Sequence, residues 1–385
     1  MTQGDERQRL ARASLTHLVE PGDSMLGALL RHNEPATVLA AITAGRLPAS
    51  ANPPERDAGS VTRALSRWAA RLAAMPAELD LAAWRRRGIR LICPGDQEWP
   101  TQLAVLGDGA PYALWVRGSA DLRYGCLRSV SIVGSRAATP YGSHVATEMA
   151  AALGERGWTV VSGGAFGIDG SAHRGALATD GATIAVLASG VDCPYPAGHA
   201  QLFDAIVAQG VLVSEWPPGR HPTRQGFLVR NRLIAALTRG TVVIEAGLRS
   251  GALSTARHAR DLCRPLMAVP GPVTSQASAG CHEIMRHWCA VCVTDAKDVL
   301  EHVGLAGEYL PGRRVGPVLP RDALDPETSG VLDAVPARTG AGPATIAASA
   351  GVSLDTAIRC LGALAAGGFI ERCERGWRIK KHKAQ

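Results

Sequence analysis

Aromatic residues make up only 4% of this 385-residue chain, so aliphatic and alanine packing must dominate its core. No run approaches the roughly 20 apolar residues that span a bilayer. The polar start Met1-Thr-Gln-Gly-Asp-Glu-Arg-Gln-Arg is not followed by the apolar stretch of a signal peptide. These absences lead us to expect a soluble, cytoplasmic chain with no membrane partner. Nine cysteines, an odd number at irregular spacing, read as reduced thiols rather than a disulfide framework. The chain also lacks a Walker lysine motif and the acidic cluster of two-metal nuclease chemistry.

What is present suits a folded protein with an anionic partner. Hydrophobic residues reach 46%, enough for a substantial core, and the length accommodates two or three domains. The formal net charge of +7 favours a polyanion, with nucleic acid the obvious candidate. Residues 1–120 are rich in Ala, Arg and Leu at helical periodicity and read as a helical scaffold, broken by a loop at Pro48-Ala-Ser-Ala-Asn-Pro-Pro-Glu-Arg-Asp.

From 121 to 305 the pattern changes. Short β-branched runs at Ser129–Val133, Trp158–Val161, Thr183–Ala188, Val211–Ser214, Thr241–Glu245, Leu266–Val269 and Ala290–Val293 alternate with helical segments. Continuous apolar strands separated by amphipathic helices predict a doubly wound parallel α/β sheet, covered on both faces. Thr139 and Pro140 mark the start of its first helix. Residues 306–324 read as a linker. In the tail (325–385), helices at Ala344–Gly351 and Leu354–Ala366 precede a ribbon at Phe369-Ile-Glu-Arg and Gly376-Trp-Arg-Ile, suggesting a winged helix.

Ligands of an open parallel sheet collect beyond the carboxyl ends of its strands. Three glycine turns fall there. Gly134-Ser135-Arg136 follows the first run, Ser162-Gly163-Gly164 with Gly167 follows the second, and Ser250-Gly251 follows Glu245 and opens a helix. Such turns expose backbone N–H groups to anions, and Arg136 and Arg249 add guanidinium donors. The spacing of the second turn is not the dinucleotide fingerprint G-x-G-x-x-G. A second element gathers Arg224, Phe227, Arg230, Asn231 and Arg232, cationic donors for phosphates around a flat apolar face for a base. Either arginine of the pair Arg230 and Arg232 could instead brace the fold.

Asp169, Asp192, Glu215 and Glu245 suit either catalytic carboxylates or the capping of helices and bracing of arginines, and His173, an acid/base candidate beside Asp169, reads rather as a structural histidine. Cys289 and Cys292 have a metal-like spacing, but strand alternation turns them to opposite faces. No cofactor and no metal are expected.

The middle segments resemble the DNA processing protein A (DprA/Smf) family. The likeness runs in order through Val130-Ser-Ile-Val-Gly-Ser-Arg, Ser162-Gly-Gly-Ala-Phe-Gly-Ile-Asp-Gly-Ser-Ala-His, Thr183-Ile-Ala-Val-Leu-Ala-Ser-Gly-Val-Asp, Tyr195-Pro, Ser214-Glu, Phe227…Arg230-Asn-Arg and Ser250-Gly-Ala-Leu-Ser-Thr-Ala to Val269-Pro-Gly. The resemblance implies a Rossmann-like domain between a SAM-like helical region and a winged helix. It further implies binding of single-stranded DNA, homodimerisation, loading of the RecA recombinase during transformation, and no catalysis. By position, Gly134, Ser135, Arg136, Arg224, Phe227, Asn231 and Arg232 match the DNA-contacting set, with Ser162, Gly163 and Gly164 shaping the same pocket. Val229, Ser254, His282 and Arg224 depart from residues common in the family.

Two other readings stay open. One is a nucleotide-cleaving enzyme like the phosphoribohydrolases, with Glu245 as its carboxylate, although their Pro-Gly-Gly-x-Gly-Thr run is missing. The other is a duplex-binding regulator reading DNA through the tail, where Arg359 alone is suited to base contact.

Overall fold

The computed structural model describes residues 3–48, 58–73, 75–76, 79–305, 307–309, 316 and 319–380. Most of the loop after Pro48, parts of the linker and the Lys381-His-Lys383 end lie outside the described residues. The chain divides into two compact units, Met1–Pro311 and Gly312–Gln385.

In the first unit, strands β1 (Ile89–Ile92), β2 (Leu114–Arg117), β3 (Ser129–Val133), β4 (Thr159–Ser162), β5 (Thr183–Val186), β6 (Val211–Ser214), β7 (Gly240–Val243), β8 (Leu266–Ala268) and β9 (Val291–Cys292) form one sheet. Their order is β1-β2-β6-β5-β4-β3-β7-β8-β9. From β6 to β9 every neighbouring pair is parallel. Only the β1–β2 and β2–β6 pairs are antiparallel.

Helices α1 (Gln3–Leu18), α2 (Ser24–His32), α3 (Pro35–Thr43), α4 (Ala58–Leu72) and α5 (Leu81–Arg86) precede the sheet, and α6 (Leu122–Leu127) leads into β3. The sheet is then wrapped by α7 (Pro140–Gly154), α8 (Ile168–Leu177), α9 (Ala200–Gln209), α10 (Arg224–Leu237), α11 (Ala252–Asp261), α12 (Ala279–His287) and α13 (Ala296–Val303).

Strand alternation explains the two faces. Val130 and Ile132 of β3 pack with Met149 and Leu153 of α7, Ala172 of α8 and Leu300 of α13. Val133, one residue on, joins Leu233 of α10, Ala256 of α11 and Ile284 of α12 on the opposite face. The doubly wound parallel sheet predicted from the apolar runs is the architecture observed. Thr139 caps α7 as expected, its Oγ1 accepting from the Gly142 N–H at 3.1 Å.

The reading of residues 1–120 as helical needs correction, because β1 and β2 extend the sheet within it. Both are four-residue strands placed among Ala- and Arg-rich helices, too short to break a helical pattern. Trp115 and Leu114 are fully buried, and β2 reaches β6 through the Trp115–Ser214 register.

The second unit contains α14 (Pro326–Ala334), α15 (Pro343–Ala350), α16 (Leu354–Ala366) and an antiparallel ribbon of β10 (Ile370–Cys373) and β11 (Gly376–Ile379). Gly351, at φ 70°, ends α15 in the left-handed conformation, and Ser353 caps α16. The tail's predicted helices and ribbon are all present, and α14 joins them.

Candidate nucleic-acid interface

After β3 the chain steps outward through β4, β5 and β6, then returns to place β7 on the other side of β3. The carboxyl ends of β3 and β7 therefore bound the switch-point crevice. A cleft of about 860 Å³ opens there, with Arg136 and Ser135 on one side, Arg249, Ser250 and Gly251 on another, and α10 along a third.

Helix α10 presents Arg224, Phe227, Leu228, Asn231 and Ile234 to the cleft. These stand at i, i+3, i+4, i+7 and i+10, one stripe of the helix. Thr223 fixes where that helix begins, accepting from the Gly226 N–H at 3.0 Å. Phe227 is half-buried, and the guanidinium of Arg136 lies 4.7 Å from its ring centroid. Tyr195 stands edge-on to the same ring at 5.9 Å. Arg136, Arg224 and Arg249 are exposed, and none of the three has an ion-pair partner among the described residues. Unpaired guanidinium groups around a half-exposed ring form a surface that attracts phosphates and accepts a flat base.

The remaining sequence-predicted residues divide by role. Arg230 is buried at the back of the cleft, donating from Nη1 to the Val186 carbonyl at 2.6 Å. Its guanidinium lies 6.0 Å from Phe227 and directly against Gly163, where a Cβ would overlap it. Burial lowers the Arg230 pKa to about 10, opposed by the nearby charge of Asp169. Burial likewise pushes the Asp169 carboxyl up, while Arg230 and hydrogen bonds pull it back. Asn231 reaches across the cleft, its Nδ2 3.4 Å from the Gly251 carbonyl.

The expectation of open backbone donors at the first two glycine turns is corrected by the geometry. The Ser135 N–H donates to the Glu245 carbonyl at 2.7 Å, and the Gly163 N–H donates to Asp169 at 3.1 Å. Ser162 bonds the Ile132 carbonyl at 2.6 Å inside the sheet, and Gly164, at φ +68°, packs on Phe203. Ser162, Gly163 and Gly164 thus hold the floor behind the cleft and do not line it. Gly134 does line it. It is a close approach, because a Cβ there would lie 2.5 Å from Ile168 and 2.8 Å from the Glu245 carbonyl.

Arg232 lies apart from the cleft. One residue beyond Asn231, it points about 100° further around the helix and pairs with Glu215 at 2.5 Å in a buried contact. Gly22, before α2, packs against the same guanidinium. The residues missed among the site candidates are Tyr195 and Leu228, whereas Arg249, read as a donor beside the third glycine turn, lines the cleft. Leu228 was recoverable from its helical spacing to Arg224. Tyr195 is brought to Phe227 only by the tertiary fold.

The single carboxylates have structural partners. Glu245 is buried and accepts from the Thr139 N–H at 2.9 Å and the Thr139 hydroxyl at 2.6 Å. Asp192 accepts from the Gly219 N–H at 2.9 Å. His173 is fully buried.

The sequence profile of DNA recombination-mediator protein A matches residues 90–304, from β1 through α13. The chain belongs to this family. Members of the DNA recombination-mediator protein A family similar to it include a putative DNA processing protein DprA of Mycobacterium tuberculosis, 49% identical over 310 residues, covering 78% of this chain and 79% of the relative. Protein Smf of Escherichia coli is 38% identical over 230 residues, covering 59% and 60%. Among solved structures, DNA processing protein A from Streptococcus pneumoniae aligns with a TM-score of 0.61 at 29% identity, covering 80% of this chain and 99% of that one. The matched span of the recombination-mediator family contains the whole cleft and the sheet that positions it. Among the described residues, no helix is long and apolar enough to cross a membrane.

Proposed function

We propose that the cleft binds single-stranded DNA, with phosphates on Arg136, Arg224 and Arg249 and a base against Phe227. The observation that carries this reading is the trio of unpaired, exposed guanidinium groups set around a half-exposed ring at the switch point. A duplex hides its base faces in the stack, so a ring beside phosphate donors favours an unpaired strand. At the third glycine turn the Ser250 N–H is likewise taken, donating to the Gly247 carbonyl at 2.9 Å, so what that turn adds on the cleft wall is the positive dipole end of α11 beside Arg249.

Family membership supports the wider role: a cytoplasmic, homodimeric, non-catalytic mediator that protects incoming strands and loads a RecA-type recombinase during transformation and recombination. Against the nucleotide-enzyme reading, its candidate carboxylate Glu245 is committed to Thr139. We read the C-terminal unit as an accessory winged helix, since Arg359 is the one side chain of α16 suited to base contact and it already faces Glu327 in an exposed ion pair at 2.5 Å.

The test is fluorescence anisotropy with a labelled single strand and its matched duplex across a salt series. Preference for the single strand, with affinity falling steeply as salt rises, is the expected result. Tight duplex binding indifferent to cleft substitutions would move the activity to the tail. No binding to either form would reopen the nucleotide-enzyme reading.

A further inference from the structure

Aromatic residues are scarce in this chain, yet two stand exposed beside the cleft. Phe166 follows Ala165, a cleft-lining residue, and is 49% exposed. Its ring lies edge-on to His199 at 4.7 Å between centroids. Gly198 sits against the ring as well, and a Cβ there would come within 3.1 Å of it. His199 is itself held by a 3.1 Å contact between Nδ1 and the Gly164 carbonyl. The ring is thus positioned from below and left open to solvent above.

Beyond it lies a second hollow of about 500 Å³, walled by Gly198, His199 and Gln201. Its cation is Arg174, which is exposed and has no side-chain hydrogen bond or ion pair among the described residues. The short segment 195–199 joins the two places. Tyr195 at one end touches Phe227 and is 49% exposed, while Gly198 and His199 at the other end carry Phe166.

A flat exposed ring beside an unpaired guanidinium repeats, on a smaller scale, the chemistry of the cleft. We infer that a bound single strand continues out of the cleft past Tyr195 and over Phe166, stacking a base there and placing a phosphate on Arg174. The surface is then a track with two stops, and this inference rests on the single-strand reading of the cleft. Base stacking on an aromatic tolerates any sequence, and each phosphate neutralised adds to the salt dependence.

The experiment compares oligothymidines of roughly 6 and roughly 15 nucleotides, a length that fills the cleft alone and one that can extend beyond it. The full chain is titrated with each by anisotropy, as wild type, Phe166→Ala, Phe166→Leu, Arg174→Ala and Arg174→Lys. Wild type should bind the longer strand more tightly. Phe166→Ala should weaken the longer strand roughly fivefold or more and leave the shorter one unchanged. Phe166→Leu keeps an apolar cover on His199 without a flat face, so it should behave like alanine if stacking is the role and like wild type if the ring only packs. Arg174→Ala should lower the salt slope by about one for the longer strand alone, and Arg174→Lys should restore it.

Equal affinity of wild type for both lengths would overturn the track while leaving the cleft reading intact. So would variants that keep the wild-type length preference. Failure of wild type to bind either strand would overturn the cleft reading and the track with it.

Discussion

Arg136 lies over the ring of Phe227, 4.7 Å from its centroid, although the two come from different elements: one from the turn after β3, the other from α10. The pair combines a phosphate donor with a stacking face, and substitution should separate the two contributions. Arg136→Ala should lower the slope of log affinity against log salt by about one, the signature of a lost phosphate contact. Phe227→Ala should cost about 1–3 kcal/mol of binding with the slope nearly unchanged. Arg136→Lys should keep the slope and lose part of the affinity, because an ammonium does not stack on a ring as a guanidinium does. Anisotropy titrations at several salt concentrations read all three, and identical slopes for wild type and Arg136→Ala would remove Arg136 from the phosphate set.

Arg232 behaves as part of the scaffold. Its pair with Glu215 is buried, with side-chain exposures of 10% and 5%, and Nε and Nη1 have no hydrogen-bond partner among the described residues. Removing one partner strands the other charge out of water, which costs about 3–5 kcal/mol. Arg232→Ala should therefore lower unfolding stability by that order in a urea titration, while the folded fraction binds single strands as wild type does. A loss of affinity with stability preserved would put Arg232 back among the DNA contacts.

Much of this was legible because the parallel sheet is buried on both faces. Its strands are continuous apolar runs such as Ser129–Val133, and the switch-point rule places their ends at the site. What spacing could not separate was Arg230 from Arg232. Two residues apart on one helix, they find partners supplied from far along the chain, Val186 for one and Glu215 for the other. The N–H groups of Ser135 and Gly163 were unreadable for the same reason. A turn's sequence shows that it is tight, but not whether a neighbouring strand or loop has already taken its donors.

Gly134 shows how little room the switch point leaves. A Cβ there would lie 2.5 Å from Ile168 and 2.8 Å from the Glu245 carbonyl, and the second of these is backbone that cannot swing aside. Gly134→Ala should force β3 and the segment after β7 apart, costing about 1–3 kcal/mol as overpacking does. Because Ser135 and Arg136 follow directly, single-strand affinity should fall as well. Circular dichroism melts and anisotropy on the same sample check both. Unchanged stability would mean that the crevice tolerates a wider opening than its geometry implies.

His173 supplies a pH signature independent of DNA. It is fully buried, and its Nδ1 lies 2.8 Å from the Thr183 hydroxyl, which already donates to the Val160 carbonyl at 2.7 Å. Nδ1 must therefore carry the proton, and the buried Nε2 has no hydrogen-bond partner among the described residues for a second one. Burial, reinforced by His199, Arg230 and Arg174, lowers the pKa to about 3 from 6.5. Below pH 6.5 the unfolded chain takes up a proton that the folded chain refuses. Stability from this group is therefore full above that value and is lost as pH falls toward 3. Between about pH 7 and about pH 5 the loss should be about 2 kcal/mol. His173→Gln cannot titrate, so the difference in unfolding free energy between wild type and variant, from urea titrations, should shift against wild type by that amount over this interval. A difference that stays constant with pH would show that His173 titrates in the folded protein much as it does in the unfolded chain.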